Sequence, residues 1–316
     1  MFKKIKSLLL VTLVVGSTVV GCSKSDNVND KARVTLVLST GGVNDQSFNQ
    51  SAWEGALKAQ DKYNVEVSYI ESHQDSEYMQ NIETAIDQDS DLVVGVGFKL
   101  TDSIKDAAED YPEQKFAIID GTYDNMPNNV TSIMFSEEQA GYAAGLVAAN
   151  TSETGVVGFI GGIDIPSCSN FLVGFEKAIK EENPNMKVLS QYTNTFTDAA
   201  KGRIIAEQMV KDDADILFMA SGAGNSGTIE VVRENNIKAI GVDMPNNYIA
   251  PEHIITSALK NVGTGLELTI KDLVEGNFEG GQVKIYDLSN GGVGFEKTNL
   301  LSNDLIEYVE KKIGDK

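Results

Sequence analysis

The sequence predicts an α/β protein made of two doubly wound, parallel-sheet lobes joined by a hinge of several chain crossings. Three observations predict this fold. Short β-branched runs alternate with amphipathic helical stretches, the apolar runs are continuous, and the whole order of runs occurs twice. Continuous apolar strands separated by helices are typical of parallel sheets that are covered on both faces.

The two sets of elements match in order. The first set is RVTLVLS, SFNQSAWEGALKAQ, NVEVSYI, SEYMQNIETAIDQ, DLVVGVG, TDSIKDAAED and KFAIID, and the second is GVVGFIGG, NFLVGFEKAIKEE, MKVLSQY, TDAAKGRIIAEQMVKD, DILFMAS, SGTIEVVRENN and IKAIGVD. Matching features recur about 122 to 124 positions apart, as in Tyr69 and Tyr192 or Asp120 and Asp243. Two α/β units predict two lobes, each with a crevice beyond the carboxyl ends of its strands.

The last part of the chain is too short to form a third domain. It contains strand-like IITSAL, a helix near residues 262–276, strand-like QVKIYDL and a final helix from about Asn303. We expect these elements to complete both lobes and to create a hinge. The predicted boundaries are residues 33–135 with 254–282 for lobe one, and residues 136–253 with 283–316 for lobe two.

The N-terminal residues have the pattern of a targeting segment. Residues 1–21 carry lysines followed by an apolar stretch too short to span a membrane comfortably, which predicts a secretory signal peptide. The segment VVGC ending at Cys22 resembles a bacterial lipobox, so we expect lipidation of Cys22 and a polar tether over residues 22–32. A short apolar helix that only packs is the alternative. The remaining chain is then expected to lie at the outer face of the cell membrane, held by its lipid anchor.

Composition argues against several classes of function. The formal net charge is −20, which disfavours nucleic acid and broad anionic lipid surfaces, although acidity also serves solubility. Once Cys22 is lipidated only Cys168 remains, so we expect no intrachain disulfide and no cysteine-rich metal site. His73 and His253 are the only histidines, which leaves little for a zinc cage or a Ser-His-Asp triad. We therefore expect no metal, no cofactor and no enzyme.

The loop GGVNDQSFNQSAWEGA follows the first strand and faces the predicted crevice. Asn44 and Asp45 offer donors and acceptors to the edge of a flat heterocycle, and Phe48 offers a ring face. The alternative is that Asn44 or Asp45 caps the following helix and that Phe48 joins the core.

Other strand ends carry polar or small residues. Asp120 and Asp243 end matching apolar runs, where a carboxylate accepts hydrogen bonds from neighbouring hydroxyls, or acts as an ordinary cap. The small-residue loop SGAGN, which includes Gly222, presents backbone N–H groups to a ligand, and such loops also suit phosphates. Phe196 is a candidate second aromatic wall, although a core position is the alternative.

Several separated motifs in order resemble one family across essentially the whole chain. GGVNDQSFNQSAWEGA, GVGF, YTNTFTDAAKG, GVD and TSALKNVG are similar to the basic-membrane-protein family of PnrA-like purine-nucleoside receptors. The resemblance implies a type I periplasmic-binding-protein fold that delivers a nucleoside to an ABC importer with separate permease and ATPase chains. It implies that Asn44 and Asp45 read the base edge, that Phe48 and Phe196 sandwich the base, and that the ribose is held by Asp120, Gly222, Asp243 and Lys260.

Where this chain departs from the family pattern, the base preference stays open among guanosine, inosine and adenosine. Asn44 stands where many relatives carry a carboxylate, and the Asp243-Met244-Pro245-Asn246 continuation and Ala223 also depart from the family pattern. The predicted cleft contains three aspartates and one obvious cation, Lys260. This excess of negative charge disfavours phosphates and favours an unphosphorylated ligand. A sugar receptor of the same fold and a nucleoside hydrolase are the alternatives.

Overall fold

Two six-stranded sheets form the two lobes of the protein. The computed structural model describes residues 31–314, so the predicted signal peptide and the lipidation site at Cys22 lie outside the described residues. Within residues 31–314, no helix is both long enough and apolar enough to cross a membrane.

Lobe one contains an all-parallel sheet. Its strands are β1 (Ala32–Leu38), β2 (Val65–Glu71), β3 (Leu92–Val96), β4 (Lys115–Ile119), β5 (Val130–Phe135) and β11 (Gln282–Tyr286), in the order β11-β5-β4-β3-β1-β2. Its helices are α1 (Phe48–Lys62), α2 (Tyr78–Asp87), α3 (Thr101–Asp110) and α8 (Val262–Val274). Helices α1 and α8 meet where Gly55 lies against Gly263, so closely that a Cβ on Gly55 would be 2.2 Å from the Gly263 Cα.

Lobe two repeats this plan with one antiparallel edge strand. Its strands are β6 (Val156–Gly161), β7 (Lys187–Tyr192), β8 (Ile216–Ala220), β9 (Lys238–Asp243), β10 (Ile254–Lys260) and β12 (Val293–Phe295), in the order β12-β10-β9-β8-β6-β7, and β12 is antiparallel to β10. Its helices are α4 (Glu137–Thr151), α5 (Pro166–Glu182), α6 (Ala199–Lys211), α7 (Asn225–Glu234) and α9 (Asn303–Gly314). Short 3-10 turns occur at Asp75–Glu77, Phe98–Leu100, Gly222–Gly224 and Asn247–Ile249.

Both faces of the central strands of each sheet are buried, as the continuous apolar runs predict, whereas the edge strands β2, β7 and β11 are partly exposed. In β1, Val37 packs in a cluster with residues of α2 and α3, whereas its neighbours Leu36 and Leu38 pack in the cluster that contains α1 and α8. In β8, Leu217 joins the α6 and α7 cluster, and Phe218 faces Phe175 of α5 at 5.2 Å between ring centroids. Side chains alternate between faces along a strand, so helices on both sides are required to cover them. The predicted fold class is confirmed.

The chain passes between the lobes three times, at residues 135–137, 260–262 and 286–293. The structure differs from the predicted boundaries in both of the predicted returning strands. Strand β10, predicted for lobe one, pairs with β9 of lobe two, and β11, predicted almost entirely for lobe two, pairs with β5 of lobe one. Periodicity identifies a strand but does not say which sheet edge it joins, because both lobes offer a similar edge.

Candidate functional site

A cavity of about 200 Å³ lies between the lobes at the carboxyl ends of the strands. The structure brings seven of the eight predicted ligand-binding residues to its wall: Asp45, Phe48, Asp120, Phe196, Gly222, Asp243 and Lys260. Asn44 is exposed and is not part of the cavity wall. Asn44 and Asp45 therefore do not share the cavity wall in this structure, and contact of Asn44 with a base edge stays a prediction.

Asp45 caps helix α1, which was the alternative to base recognition. Its Oδ1 accepts hydrogen bonds from the backbone N–H groups of Ser47 and Gln50 at 2.9 and 3.1 Å, and its Oδ2 accepts one from Asn49 at 2.9 Å. These bonds turn the Asp45 side chain inward to the cavity. Burial nevertheless raises the pKa of Asp45 to about 6, because desolvation outweighs the three N–H donors, and the nearby Asp243 adds to the rise.

A buried ion cluster forms the floor of the cavity. Lys260 Nζ lies 2.5 Å from Asp120 Oδ2 and 2.8 Å from Glu137 Oε1, and all three side chains are at least nine-tenths buried. Asp120 Oδ1 has no hydrogen-bond partner among residues 31–314. Glu137 Oε1 contacts the ammonium as an ion pair and likewise accepts no hydrogen bond among these residues. An ammonium carries three N–H donors and one of them is donated to Asp120 Oδ2, so the Asp120 Oδ1 acceptor lies in the same cluster as further N–H donors. An unpaired carboxylate oxygen of Asp120 near the Lys260 ammonium suits a ligand with adjacent hydroxyls.

The charge of the cluster shifts its proton affinities. Burial raises the pKa of Asp120 to about 7, against the opposing effect of Lys260 and with a contribution from Glu137. Burial also raises the pKa of Asp243. Burial alone would lower the pKa of Lys260, but the charges of Asp120, Glu137 and Asp243 outweigh it and raise that pKa. Lys260 therefore remains cationic. The excess negative charge of the cluster favours a proton retained on one of its carboxyl groups near neutral pH.

Asp120 and Asp243 occupy matching strand ends with the same unusual backbone. Their φ angles are +62° and +65°, in the left-handed region that L-residues other than Asn and Asp seldom adopt. Such a conformation costs on the order of 1–3 kcal/mol, and it clusters at binding sites. The sequence repeat thus extends to backbone geometry, and it turns both carboxylates towards the space between the lobes.

Three polar contacts join the lobes beside the cavity. Ser47 Oγ of lobe one donates to Asp243 Oδ2 of lobe two, and Asn246 Nδ2 donates to the Gln46 carbonyl at 3.1 Å. The third is the Lys260–Asp120 pair. The lobes are consequently closed on each other in this structure.

Phe48 and Phe196 provide one aromatic side chain from each lobe. Phe196 lies over Gly162, where a Cβ would be 2.2 Å from its Cε1, so glycine is required for the ring to lie flat against the backbone. The Lys260 Nζ is 5.3 Å from the centroid of Phe48. Both rings border the cavity and are also packed, partly buried, against the edge of the hydrophobic core.

Most of the residues around the cavity were not predicted from the sequence, and four of these bear on its chemistry. Ser47 and Cys168 line the cavity, and Glu137 supports it from behind. Lys99 also lines the cavity, so Lys260 is not its only cation, but Lys99 is neutralised by Asp75 at 2.9 Å. The helix that Glu137 begins was itself not predicted, and an acid at a helix N-terminus needs no partner to account for it, so no sequence signal pointed to Glu137. In the described part of the chain, no group of three or more His, Cys, Asp or Glu side chains is placed to hold a metal ion.

The fold and the interlobe cavity define a solute-binding protein, and comparisons with known proteins identify its family. Residues 32–316 match the family model described as Bmp: ABC transporter substrate-binding protein PnrA-like. The chain belongs to this family, as its motifs predicted. It is therefore a substrate-binding protein of an ABC transporter rather than an enzyme, which implies permease and ATPase partners.

Individual relatives cover nearly the whole chain. Basic membrane protein A of Borreliella burgdorferi is 34% identical over 96% of this chain and 91% of its own. The ABC transporter nucleoside-binding protein BmpA of Lactococcus lactis is 30% identical over 96% and 93%. Among solved structures, an ABC transporter solute-binding protein from Aeropyrum pernix superposes with a TM-score of 0.79 at 28% identity, over 90% of this chain and 80% of the other.

Proposed function

We propose that this protein binds a purine nucleoside between its lobes and delivers it to the permease of an ABC importer. The observation that carries the proposal is that Phe48 and Phe196, one from each lobe, border the same cavity as a buried carboxylate oxygen of Asp120 that has no partner among residues 31–314. Aromatic rings suit the faces of a base, and the Asp120–Lys260 pair suits the hydroxyls of a pentose. The name of the Lactococcus lactis relative supports the same class of ligand.

The charges favour an unphosphorylated ligand. The cavity wall carries Asp45, Asp120 and Asp243, and its two lysines are both paired with carboxylates. A phosphate group would therefore meet net negative charge. A site that accepts hydrogen bonds from hydroxyls also leaves a buried acceptor unpaired when the hydroxyl is missing, which selects for ribose over deoxyribose.

Calorimetry on a panel of ligands tests the proposal. Guanosine, inosine and adenosine are expected to bind, whereas guanosine monophosphate and free ribose bind at least tenfold more weakly. Tight binding of free sugars without nucleosides would instead establish the sugar-receptor alternative. Steady release of base from inosine would establish hydrolysis.

Two variants test the aromatic contacts. Phe48→Ala and Phe196→Ala are each expected to weaken guanosine binding by about 1–3 kcal/mol, which is roughly 5- to 150-fold. Phe278→Ala is the matched control, because Phe278 is partly buried and lies outside the cavity wall. Unchanged affinity in both cavity variants would rule out a base sandwich.

We also propose that Cys22 is lipidated and anchors the protein at the extracytoplasmic face of the membrane. The support is the sequence pattern of residues 1–22. Cys22→Ser is expected to move the protein from the membrane fraction to the soluble fraction, whereas Cys168→Ser leaves it in the membrane. Retention of the Cys22→Ser variant in the membrane would contradict the anchor.

A further inference from the structure

Glu137 stands directly behind the ligand cavity without lining it. It is the first residue of α4 and is only 2% exposed. Its Oε1 lies 2.8 Å from Lys260 Nζ, and its Oε2 accepts a hydrogen bond from Asn170 Nδ2 of α5 at 3.4 Å. A buried carboxylate is expensive unless it is paired, so these contacts account for its presence there.

The position of Glu137 also connects two chain crossings. Glu137 is the last residue of the crossing at 135–137, and Lys260 is the first residue of the crossing at 260–262. Their ion pair therefore links two of the chain crossings that form the hinge. The same Lys260 ammonium also contacts Asp120 of lobe one. The rings of Phe48 and Phe135 each lie 5.3 Å from Nζ, which confines the ammonium further.

We propose that Glu137 is a positioning residue for ligand binding: it holds the Lys260 ammonium on Asp120 Oδ2, so that Asp120 Oδ1 stays available to a hydroxyl of the ligand. This inference rests on the proposed function for the identity of the ligand. Without Glu137, the ammonium is free to turn towards Oδ1 or towards Asp243. The acceptor that distinguishes ribose from deoxyribose is then already occupied.

The charge of Glu137 has a second consequence for Asp120. The charged groups around Asp120 are Lys260 of β10, Glu137 of α4 and Asp243 of β9, with Asp45 of the loop before α1 beside Asp243. Burial raises the pKa of Asp120 to about 7, and Glu137 adds to that rise. Only the ionised carboxylate leaves Oδ1 as a full acceptor, so affinity for ribosides is expected to fall as the pH drops through about 7. Removal of the Glu137 charge moves this loss to lower pH.

The test compares guanosine with 2′-deoxyguanosine by calorimetry between pH 5.5 and 8.5. In Glu137→Gln, the ratio of the two dissociation constants is expected to shrink at least tenfold at pH 8. The pH midpoint for guanosine binding is expected to fall by about one pH unit. Glu138→Gln is the matched control, because Glu138 is the next residue of α4, half exposed and paired with Lys177, and it should change neither quantity.

An equal loss of affinity for both nucleosides, with the pH midpoint unchanged, would assign Glu137 a merely structural role and overturn the proposal. Circular dichroism verifies that the variant is folded. Should Glu137→Gln fail to fold, Asn170→Ala removes the second contact of Glu137 and is expected to shrink the ratio about threefold; an unchanged ratio would also overturn the proposal.

A measurement without ligand separates this inference from the proposed function. If the wild-type protein binds neither nucleoside, the proposed function fails. The Asp120 carboxyl can still be titrated by carbon-13 NMR, with Asp120→Asn to assign its signal. The proposal predicts that the titration midpoint of the Asp120 carboxyl is lower in Glu137→Gln than in the wild type. An unchanged midpoint would overturn the proposed coupling between Glu137 and Asp120.

Discussion

Replacing Lys260 by Met should destabilise the protein in a way that depends strongly on pH. Lys260 is only 1% exposed and pairs with two buried carboxylates, at 2.5 and 2.8 Å. Removing one partner of a buried ion pair costs about 3–5 kcal/mol, because it leaves an uncompensated charge in the interior. For a protein of this size, that loss lowers the melting temperature by roughly 5–8 °C.

The pH dependence follows from the carboxyl groups left behind. Lys260 opposes the rise in the pKa of Asp120 and Asp243 that burial causes, so both pKa values should rise further in the variant. A carboxyl group whose pKa is higher in the folded state contributes stability that is present at low pH and lost as the pH rises through the folded-state pKa. The variant should therefore lose more stability at pH 8 than at pH 5. If the folded variant binds one proton more than the unfolded chain between pH 5 and pH 8, its unfolding free energy falls by about 4 kcal/mol over this interval.

Urea unfolding of the wild type and Lys260→Met at pH 5, 6, 7 and 8 measures both quantities. Lys177→Met is the matched control, because Lys177 and Glu138 pair at the surface with about half of each side chain exposed. Such a pair contributes about 0–1 kcal/mol. A loss below about 1 kcal/mol in Lys260→Met, or a loss that is equal at pH 5 and pH 8, would refute the assignment of uncompensated buried carboxylates.

Three further predictions concern the core, the thiol and the opening loop. Gly55→Ala should cost at least about 1–3 kcal/mol in thermal unfolding, because its Cβ would overlap Gly263, whereas Gly294→Ala, with open space around it, should be nearly neutral. Cys168 should react with Ellman's reagent at pH 8 far more slowly than free cysteine, because it is 4% exposed and burial raises its pKa to about 12; prompt labelling would contradict this. Asn44→Ala should change guanosine affinity less than about twofold, because Asn44 lies outside the cavity wall, and a tenfold loss would restore its predicted role.

The sequence was informative where a segment is either a short apolar run or a helix with one polar face, and uninformative where it is neither. Strands β1, β3 and β4 were predicted from continuous apolar runs, and β2 from a short β-branched run. The prediction omitted α4, since ten of its fifteen residues are buried and it carries no polar face to reveal a helical period. The sheet assignments of β10 and β11 were wrong, because their pairing with β9 and β5 depends on the tertiary arrangement rather than on composition.

The candidate site shows the same division. Asp120 and Asp243 were predicted because each ends an apolar run at matching places in the repeat. Glu137 was missed, because its partner Lys260 is distant in sequence and only the hinge brings the two together. The loop pattern did not distinguish Asn44 from Asp45. The structure distinguishes them through the three backbone N–H groups that bind the Asp45 carboxylate.

The repeat also explains how closure and recognition are linked. Asp120 and Asp243 share a backbone conformation, but lobe closure gives them different partners. Asp243 accepts from Ser47 of the opposite lobe, whereas Asp120 receives Lys260 from the opposite lobe and keeps one oxygen unpartnered among residues 31–314. Each carboxylate therefore acquires these contacts only when the lobes meet. A ligand that binds the completed cavity more tightly than the open lobes stabilises closure by that difference in affinity, so a permease that recognises the closed shape would respond to ligand occupancy.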